Sequence, residues 1–183
     1  MIFTETSLSG AFIVDLEKLE DERGFLARSF CSDEFRAHGL KTEITQSNVS
    51  FNRKQGTLRG MHLQIAPRAE AKLVRCTRGA VHDVIVDLRP EAPTYCKWVA
   101  VRMTEDDGRA LYVPEGVAHG FQTLRDNTEL FYQMFTSYAP DWQRGVRWDD
   151  PAFGIKWPLP NPILSERDKS YPLFDPSKPL FRI

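Results

Sequence analysis

The stretch that decides the fold is GRALYVPEGVAHGFQTL, residues 108–124. An apolar run leads into a Pro-Glu-Gly turn at residues 114–116, and a second run leaves the turn at His119. Short runs of this kind on either side of a turn signal predict two β-strands, with the imidazole at the start of the second. The spacing from Gly108 through the turn to His119 is a long and specific pattern.

The segments around this stretch have the same character. They are short, rich in β-branched and aromatic residues, and separated by turn signals such as RPEAP (89–93) and EDDG (105–108). Several short strands at this spacing predict an all-β fold, an antiparallel sandwich or barrel. The predicted strands are AKLVRC (71–76), AVHDVIVDL (80–88), KWVAVRM (97–103), RALYVP (109–114), GFQTL (120–124) and ELFYQMFTSY (129–138).

Helices are few in this reading. SDEFRAHGL (32–40) predicts one short helix, with Ser32 as its N-cap and Gly39 closing it in the left-handed conformation. Residues 149–172 contain five prolines, which exclude long regular strands. We expect this segment to wrap the outside of the sheets as ordered coil, with a helical turn near SERDKS (165–170). No repeat or linker is evident, so the chain is predicted to be one domain, 1–183.

Composition limits the classes of function. With 27% charged and 42% hydrophobic residues, the 183-residue chain has ordinary globular composition. A net charge of −1 argues against nucleic-acid binding but permits a small anionic ligand. Cys31, Cys76 and Cys96 are odd in number and far apart, which indicates reduced thiols. We find neither a signal-peptide pattern nor an apolar run of roughly 18 residues, and therefore expect a cytoplasmic protein without a membrane segment.

The segment GTLRGMHLQ (56–64) places a permanent cation, Arg59, three residues before a titratable imidazole, His62. A histidine among apolar neighbours is more often structural than catalytic. Residues an odd number apart face opposite sides of a regular strand. Arg59 and His62 can therefore belong to one site only if Gly60 relaxes that alternation.

The stretch 108–124 resembles the second sequence motif of the cupin superfamily, a jelly-roll β-barrel. Metal-binding cupins carry His-x-His and a downstream Glu in their first motif, whereas this chain has Gln64 two residues after its histidine. Glu70 lies too far downstream to fit that pattern, and the positive charge of Lys72 repels a divalent cation. The sequence therefore predicts no catalytic metal.

Four further residues are candidates whose simplest reading is structural. Lys72 opens a predicted strand and is by itself a solvated lysine. Tyr132 and Tyr138 lie six residues apart, which predicts one face of a strand; aromatic stripes usually belong to the core, although a tyrosine hydroxyl can donate a proton. Asp168 has the position of a surface charge near a helix start. None of them identifies a site alone.

The chain as a whole resembles the dTDP-4-dehydrorhamnose 3,5-epimerase family of nucleotide-sugar epimerases. The resemblance extends over nearly the whole chain and rests on many segments in order. They are DERGF (21–25), QSNVSFN (46–52), GTLRGMHLQ (56–64), KLVRCTRGAVHDVIVDLR (72–89), YVPEGVAHGFQTL (112–124), RGVRWDDPAFGIKWP (144–158) and ILSERD (163–168).

This resemblance implies a cofactor-independent isomerase that inverts C3 and C5 of a nucleoside-diphosphate 4-keto-6-deoxyhexose, in rhamnose and cell-envelope polysaccharide biosynthesis. It also leaves open a mono-epimerase acting at C3 or C5. Two readings from other classes remain: a cupin-like binding protein that has lost its chemistry, and a metal-dependent cupin oxygenase, which the missing second histidine disfavours.

The resemblance also implies roles for single residues. His62 is the base, Asp168 its orienting partner, Lys72 the group at the C4 oxygen and Tyr132 the donor of the returning proton. A homodimer is implied, with Arg23 crossing to the partner's site. Arg28 stands where many members carry a glutamate, which leaves the nucleobase open. The implied ligand-binding residues are Arg23, Phe25, Gln46, Asn48, Arg59, His119, Tyr138 and Arg167, with Arg59 on the diphosphate.

Overall fold

Two antiparallel β-sheets dominate the computed structural model, which describes residues 1–180; the last three residues of the predicted domain lie outside that range. The all-β prediction is confirmed. The strands are β1 (Ile2–Glu5), β2 (Phe12–Asp15), β3 (Leu19–Asp21), β4 (Gly24–Leu26), β5 (Gln46–Asn52), β6 (Leu58–Gln64), β7 (Lys72–Arg78), β8 (Ala80–Asp87), β9 (Trp98–Thr104), β10 (Ala110–Val113), β11 (Val117–Thr123), β12 (Thr128–Met134) and β13 (Gln143–Gly145). One sheet has six strands in the order β1-β2-β10-β7-β12-β5, the other five in the order β13-β6-β11-β8-β9, and β3-β4 form a hairpin.

The two sheets pack face to face because alternate side chains of each point into a shared apolar core. Val74 and Leu130 enter it from the six-stranded sheet, and Ile85 and Phe121 from the five-stranded sheet. Each is at most 4% exposed. Lys72 belongs to the same inward-facing set as Val74, since the two are two residues apart on β7.

Each sheet is also covered on its outer face. Helix α1 (Ser32–Ala37) packs Phe35 against the six-stranded sheet, and the proline-rich segment packs Phe153 and Trp157 against the five-stranded sheet. The Gln122 side chain fixes that segment to β11 with two hydrogen bonds: it donates to the Leu159 carbonyl and accepts from the Leu159 amide. The predicted wrap is therefore confirmed, including a helical turn at α2 (Glu166–Ser170).

The ends of three predicted elements need correction. Ser32 is the first residue of α1 and Cys31 is its N-cap, without a side-chain hydrogen bond; Gly39 has the predicted positive φ, 71°. His119 lies inside β11 rather than at its start. Strand β12 ends at Met134, well before Tyr138.

The described part of the chain has few helical residues. Besides α1 and α2 it contains one 3₁₀ turn, Pro140–Trp142. None of the helices between residues 1 and 180 has the length and apolar character needed to cross a bilayer.

A β-bulge in β6 brings Arg59 and His62 to the same side of the sheet. His119 pairs with His62 and Phe121 with Arg59, so β6 uses three steps where β11 uses two. The extra residue reverses the strand's alternation. Gly60 stands at this point with φ 134°, and a Cβ there would lie 2.5 Å from the Gly120 Cα. The relaxed alternation at Gly60 is confirmed.

We predict that Gly60→Ala destabilises the fold by about 3 kcal/mol or more, because it adds a backbone clash to a conformation that favours glycine. Gly39→Ala is the matched control: Gly39 also has a positive φ, but nothing lies within 4 Å of its missing Cβ. That change should cost about 1 kcal/mol. Urea unfolding of both variants measures the two losses in free energy of unfolding. Equal losses would mean that the close approach of β6 and β11 does not require a glycine at position 60.

Candidate active site

Two adjoining cavities have volumes of about 240 and 330 Å³. Both sheets contribute to their walls. The two cavities share four lining residues: His62 on β6, Lys72 on β7, Tyr132 on β12 and Gln143 on β13. The first is otherwise lined by Arg59, His119, Phe121 and Arg167, and the second by Gln46, Asn48, Gln64, Glu70, Met134 and Tyr138.

The centre of the shared wall is a hydrogen bond between His62 Nε2 and Asp168 Oδ1, 2.7 Å long. The two residues are 106 positions apart. The proline-rich segment brings them together: Ile163 pairs with Thr57 just before β6, and Ser165 caps α2 by accepting from the Asp168 amide. The Asp168 side chain is only 4% exposed. Its carboxylate therefore lies in the interior, where it accepts a hydrogen bond from His62.

Burial is the largest influence on the pKa of His62 and lowers it below the ordinary value of about 6.5. Asp168 opposes that effect, while the charges of Lys72 and Arg167 add to it. For Asp168, burial alone would raise the pKa, but hydrogen bonds from His62, Ser165 and the Gly60 backbone hold it below its usual value. The pair at neutral pH is thus a neutral imidazole beside a carboxylate.

The hydrogen bond also selects the tautomer. When Nε2–H donates to Asp168, the lone pair lies on Nδ1 of His62. Within residues 1–180 no protein group bonds to that nitrogen. Tyr171 packs its ring edge-on against the imidazole, with 6.1 Å between ring centroids. The arrangement is a neutral base, fixed in orientation, at the wall of a cavity.

Positive charge surrounds the first cavity. Arg59 donates to Asn52 Oδ1 at 2.8 Å, and Arg167 Nη1 donates to Gln143 Oε1 at 3.1 Å. His119 Nε2 lies 2.9 Å from both carboxylate oxygens of the fully buried Asp83. Two guanidinium groups beside one cavity suit an anionic, phosphate-containing ligand.

Tyr132 reaches the cavities from the six-stranded sheet, opposite His62 on the five-stranded sheet. Burial raises the pKa of its phenol, Arg59 lowers it and Glu70 raises it. The hydroxyl therefore keeps its proton at neutral pH. A base on one wall and an acid on the other can remove and return a proton on opposite faces of a bound molecule.

Tyr138 shares the second cavity with Tyr132, but not through strand alternation as predicted. It lies in the loop after β12, where its amide donates to Gln46 Oε1 and its hydroxyl to Gln143 Oε1. Gln64 holds the same loop, accepting from the Ala139 amide at 2.7 Å. Gln64, which stands where metal-binding cupins have their second histidine, is thus a buried residue that stabilises this loop.

Nine of the twelve predicted site residues line the two cavities. Asp168 lies behind the wall, bonded to His62, and the other two lie elsewhere. Arg23 and Phe25 lie on the β3-β4 hairpin around a separate surface pocket with Leu19 and Leu26. The Arg23 side chain is 85% exposed and is ion-paired to Asp21.

Sequence reasoning missed Gln143, which lines both cavities and bonds to Tyr138 and Arg167. It stands in a three-residue strand after a 3₁₀ turn, where no periodicity or motif marks a side chain. Glu70, whose spacing does not fit a metal-ligand pattern, lines the second cavity.

Comparison with known proteins gives a consistent picture. A family model described as dTDP-4-dehydrorhamnose 3,5-epimerase matches residues 5–176. A protein of that name from Sinorhizobium fredii NGR234 is 42% identical over 173 residues, covering 94% of this chain and 89% of the relative.

Solved structures agree with the fold. A dTDP-4-dehydrorhamnose 3,5-epimerase from Bacillus anthracis, with TDP and PPi bound, superposes with a TM-score of 0.91 at 38% identity, over 94% of this chain and 99% of that one. A 3′-monoepimerase from Streptomyces bikiniensis in complex with dTDP-quinovose gives a TM-score of 0.85 at 34% identity, over 92% and 85%. These matches confirm the predicted cupin-type jelly roll.

We predict that Asp168→Asn lowers the pKa of His62 further, because the carboxylate opposes the effect of burial. NMR titration of the His62 ring in both proteins measures the shift. Asp149→Asn is the control, since Asp149 pairs with Arg147 and lies on neither cavity. An unchanged or raised pKa in Asp168→Asn would contradict the electrostatic role given to the pair.

Proposed function

The chain belongs to the dTDP-4-dehydrorhamnose 3,5-epimerase family, and we propose on that basis that it inverts C3 and C5 of a nucleoside-diphosphate 4-keto-6-deoxyhexose. It is an isomerase of the rhamnose pathway, with dTDP-4-keto-6-deoxyglucose as the expected substrate. The observation that carries the mechanism is the His62–Asp168 pair at the wall of a cavity.

The reaction begins with loss of a proton from a carbon next to the C4 ketone. Such protons are acidic because the resulting carbanion delocalises onto the carbonyl oxygen as an enolate. His62 removes the proton through Nδ1, and Asp168 stabilises the imidazolium that forms. The lowered pKa of His62 keeps the base neutral somewhat below pH 6.5, so activity is expected to fall only in more acidic solution.

Lys72 and Tyr132 complete the reaction. The ammonium of Lys72 stabilises the negative charge at the C4 oxygen, where it develops on enolate formation. Tyr132 then returns a proton from the opposite wall, which inverts the carbon. Solvent then takes the proton from His62 and returns one to Tyr132, after which the same three groups can act on the second carbon, since C3 and C5 both neighbour the ketone. Neither redox chemistry nor an electron sink is involved, so the proposed mechanism needs no cofactor.

The rest of the site binds the nucleotide. Arg59, Arg167 and His119 are proposed to hold the diphosphate, because they place cationic and hydrogen-bonding groups around the first cavity. Gln46, Asn48 and Tyr138 are proposed to contact the nucleoside from the second cavity. One ligand thus carries both the anion bound by Arg59 and the acidic carbon facing His62, which accounts for the bulge that brings these side chains together.

Turnover of dTDP-4-keto-6-deoxyglucose in heavy water tests the function directly. We expect deuterium at both C3 and C5, detected by NMR of the sugar. His62→Asn should slow incorporation by about 10²- to 10⁴-fold. His38→Asn, a histidine of the outer face stacked on Phe3, is the control and should match the wild type. Incorporation at the wild-type rate in His62→Asn would remove His62 as the base.

A mono-epimerase is the second candidate, favoured by the likeness to the 3′-monoepimerase of Streptomyces bikiniensis. The heavy-water experiment separates the two, because a mono-epimerase places deuterium at one carbon. Deuterium at neither carbon counts against both.

We further propose a homodimer in which Arg23 and Phe25 act in the partner's site. Both lie away from the cavities of their own subunit, on a hairpin that exposes Leu19 and Leu26 at 71% each. Strand β5, at the edge of its sheet, exposes Val49 and Phe51. Apolar side chains exposed in this way are typical of surfaces that a second subunit covers.

Mixing Arg23→Ala with His62→Asn tests this arrangement. If Arg23 acts across the dimer, each mixed dimer has one complete site, and the mixture should reach about a quarter of wild-type activity. A mixture of His62→Asn and Asp168→Asn is the control, because both residues belong to one subunit's site and no complete site forms. A mixture no more active than its separate components would contradict the shared site.

The proposed location is the cytoplasm. The three cysteines are free thiols, as is typical of a reducing compartment.

A further inference from the structure

A buried acid–ammonium pair lies next to the proposed base. Lys72 Nζ is 2.7 Å from Glu70 Oε1, and the two side chains are only 9% and 6% exposed. The same ammonium hydrogen-bonds to the backbone carbonyl of His62 at 3.4 Å. Both members of the pair line the second cavity, together with His62 and Tyr132.

This pair answers a physical problem that Lys72 creates. Lys72 occupies an inward-facing position of β7, where the following inward side chain is Val74. An isolated charge in such a place is costly, because burial removes its hydration without supplying a partner. An ammonium without a fixed position would also be a poor stabiliser of an enolate. The adjacent carboxylate compensates the charge and restrains a flexible four-carbon side chain.

We propose that Glu70 is a positioning residue for the reaction, one that holds the ammonium of Lys72 beside His62; this rests on the function proposed above. Glu70 takes no part in proton transfer to or from the sugar. It acts through Lys72, whose charge meets the C4 oxygen as the enolate forms.

Glu70 also acts on Tyr132. Its negative charge adds to burial in raising the pKa of the Tyr132 phenol, against the opposing charge of Arg59. One carboxylate thus positions the ammonium and favours the protonated phenol. The phenol is needed in its protonated form, so loss of Glu70 weakens activity on the alkaline side of the pH profile.

A purely structural role is the competing reading, and it makes a different prediction. A buried ion pair that only joins β7 to the preceding loop would affect unfolding, but not the pH dependence of the folded enzyme. The decisive measurement is therefore the pH profile rather than stability.

Glu70→Gln removes the charge and keeps the size of the side chain. We expect kcat to fall by about 10- to 100-fold with KM changed less than about threefold, because an interaction made in the transition state is weakened. The alkaline limb of the kcat profile should move down by about one pH unit or more. Glu70→Asp restores the charge, so it should return the limb toward its wild-type position, although kcat stays low because the shorter side chain holds Lys72 less well.

Two controls complete the design. Glu105→Gln removes an exposed partner of Arg125. It should leave kcat unchanged, together with the acidic and alkaline limbs of its pH profile. In a Lys72→Met background, at a pH below the alkaline limb where Tyr132 stays protonated, Glu70→Gln should cause no further loss of kcat, because there Glu70 acts through Lys72. An additive loss in that background would overturn the proposal.

The outcomes are separable from those of the proposed function. If the wild type incorporates no deuterium, the proposed function fails and this inference with it. If the wild type is active and Glu70→Gln keeps its kcat and alkaline limb, or loses only thermal stability, this inference alone is overturned. If Glu70→Gln does not fold, an alkaline limb in Glu70→Asp that coincides with the wild-type limb supports the charge role, and one displaced as far as a loss of charge predicts overturns it.

Discussion

The hydrogen bond between His62 and Asp168 is the interaction on which the proposed site depends. It joins a strand in the middle of the chain to a short helix near its end, 106 residues later. The carboxylate selects the tautomer of the imidazole and leaves Nδ1 as the basic atom. The proline-rich segment therefore does more than cover the five-stranded sheet. Because it packs beside β6, it also supplies the carboxylate that bonds to His62.

A second constraint lies in the backbone of β6. The bulge at Gly60 turns Arg59 to the same side as His62, so one strand carries both the proposed anion-binding group and the proposed base. The bulge is possible because Gly60 and Gly120 let two backbones approach more closely than side chains would allow. Packing between two strands thus sets the distance between Arg59 and His62.

The charges of the site are balanced in a way that fits its proposed chemistry. Burial and neighbouring cations lower the pKa of His62, which favours a neutral base. Burial raises the pKa of Tyr132, which favours a protonated acid. Glu70 and Asp168 each place one carboxylate beside one member of the reacting set. Asp168 orients the proposed base, although it opposes the lowering of the pKa of His62, and Glu70 adds to burial in favouring the protonated phenol of Tyr132.

The sequence alone predicts the central strands from Lys72 to Met134, the short helix α1, the proline-rich wrap and, through ordered motifs such as DERGF and ILSERD, the family. Those features are local, because strand periodicity, turn residues and motif order are all written in neighbouring positions. The tertiary structure alone decided the side of the sheet on which Arg59 lies, the position of Tyr138 in a loop, the presence of Gln143 in the site and the pairing of Glu70 with Lys72. It also separated Arg23 and Phe25 from the cavities of their own subunit. Each of these depends on a bulge, a loop path or a contact between distant segments, and periodicity along one strand carries no information about them.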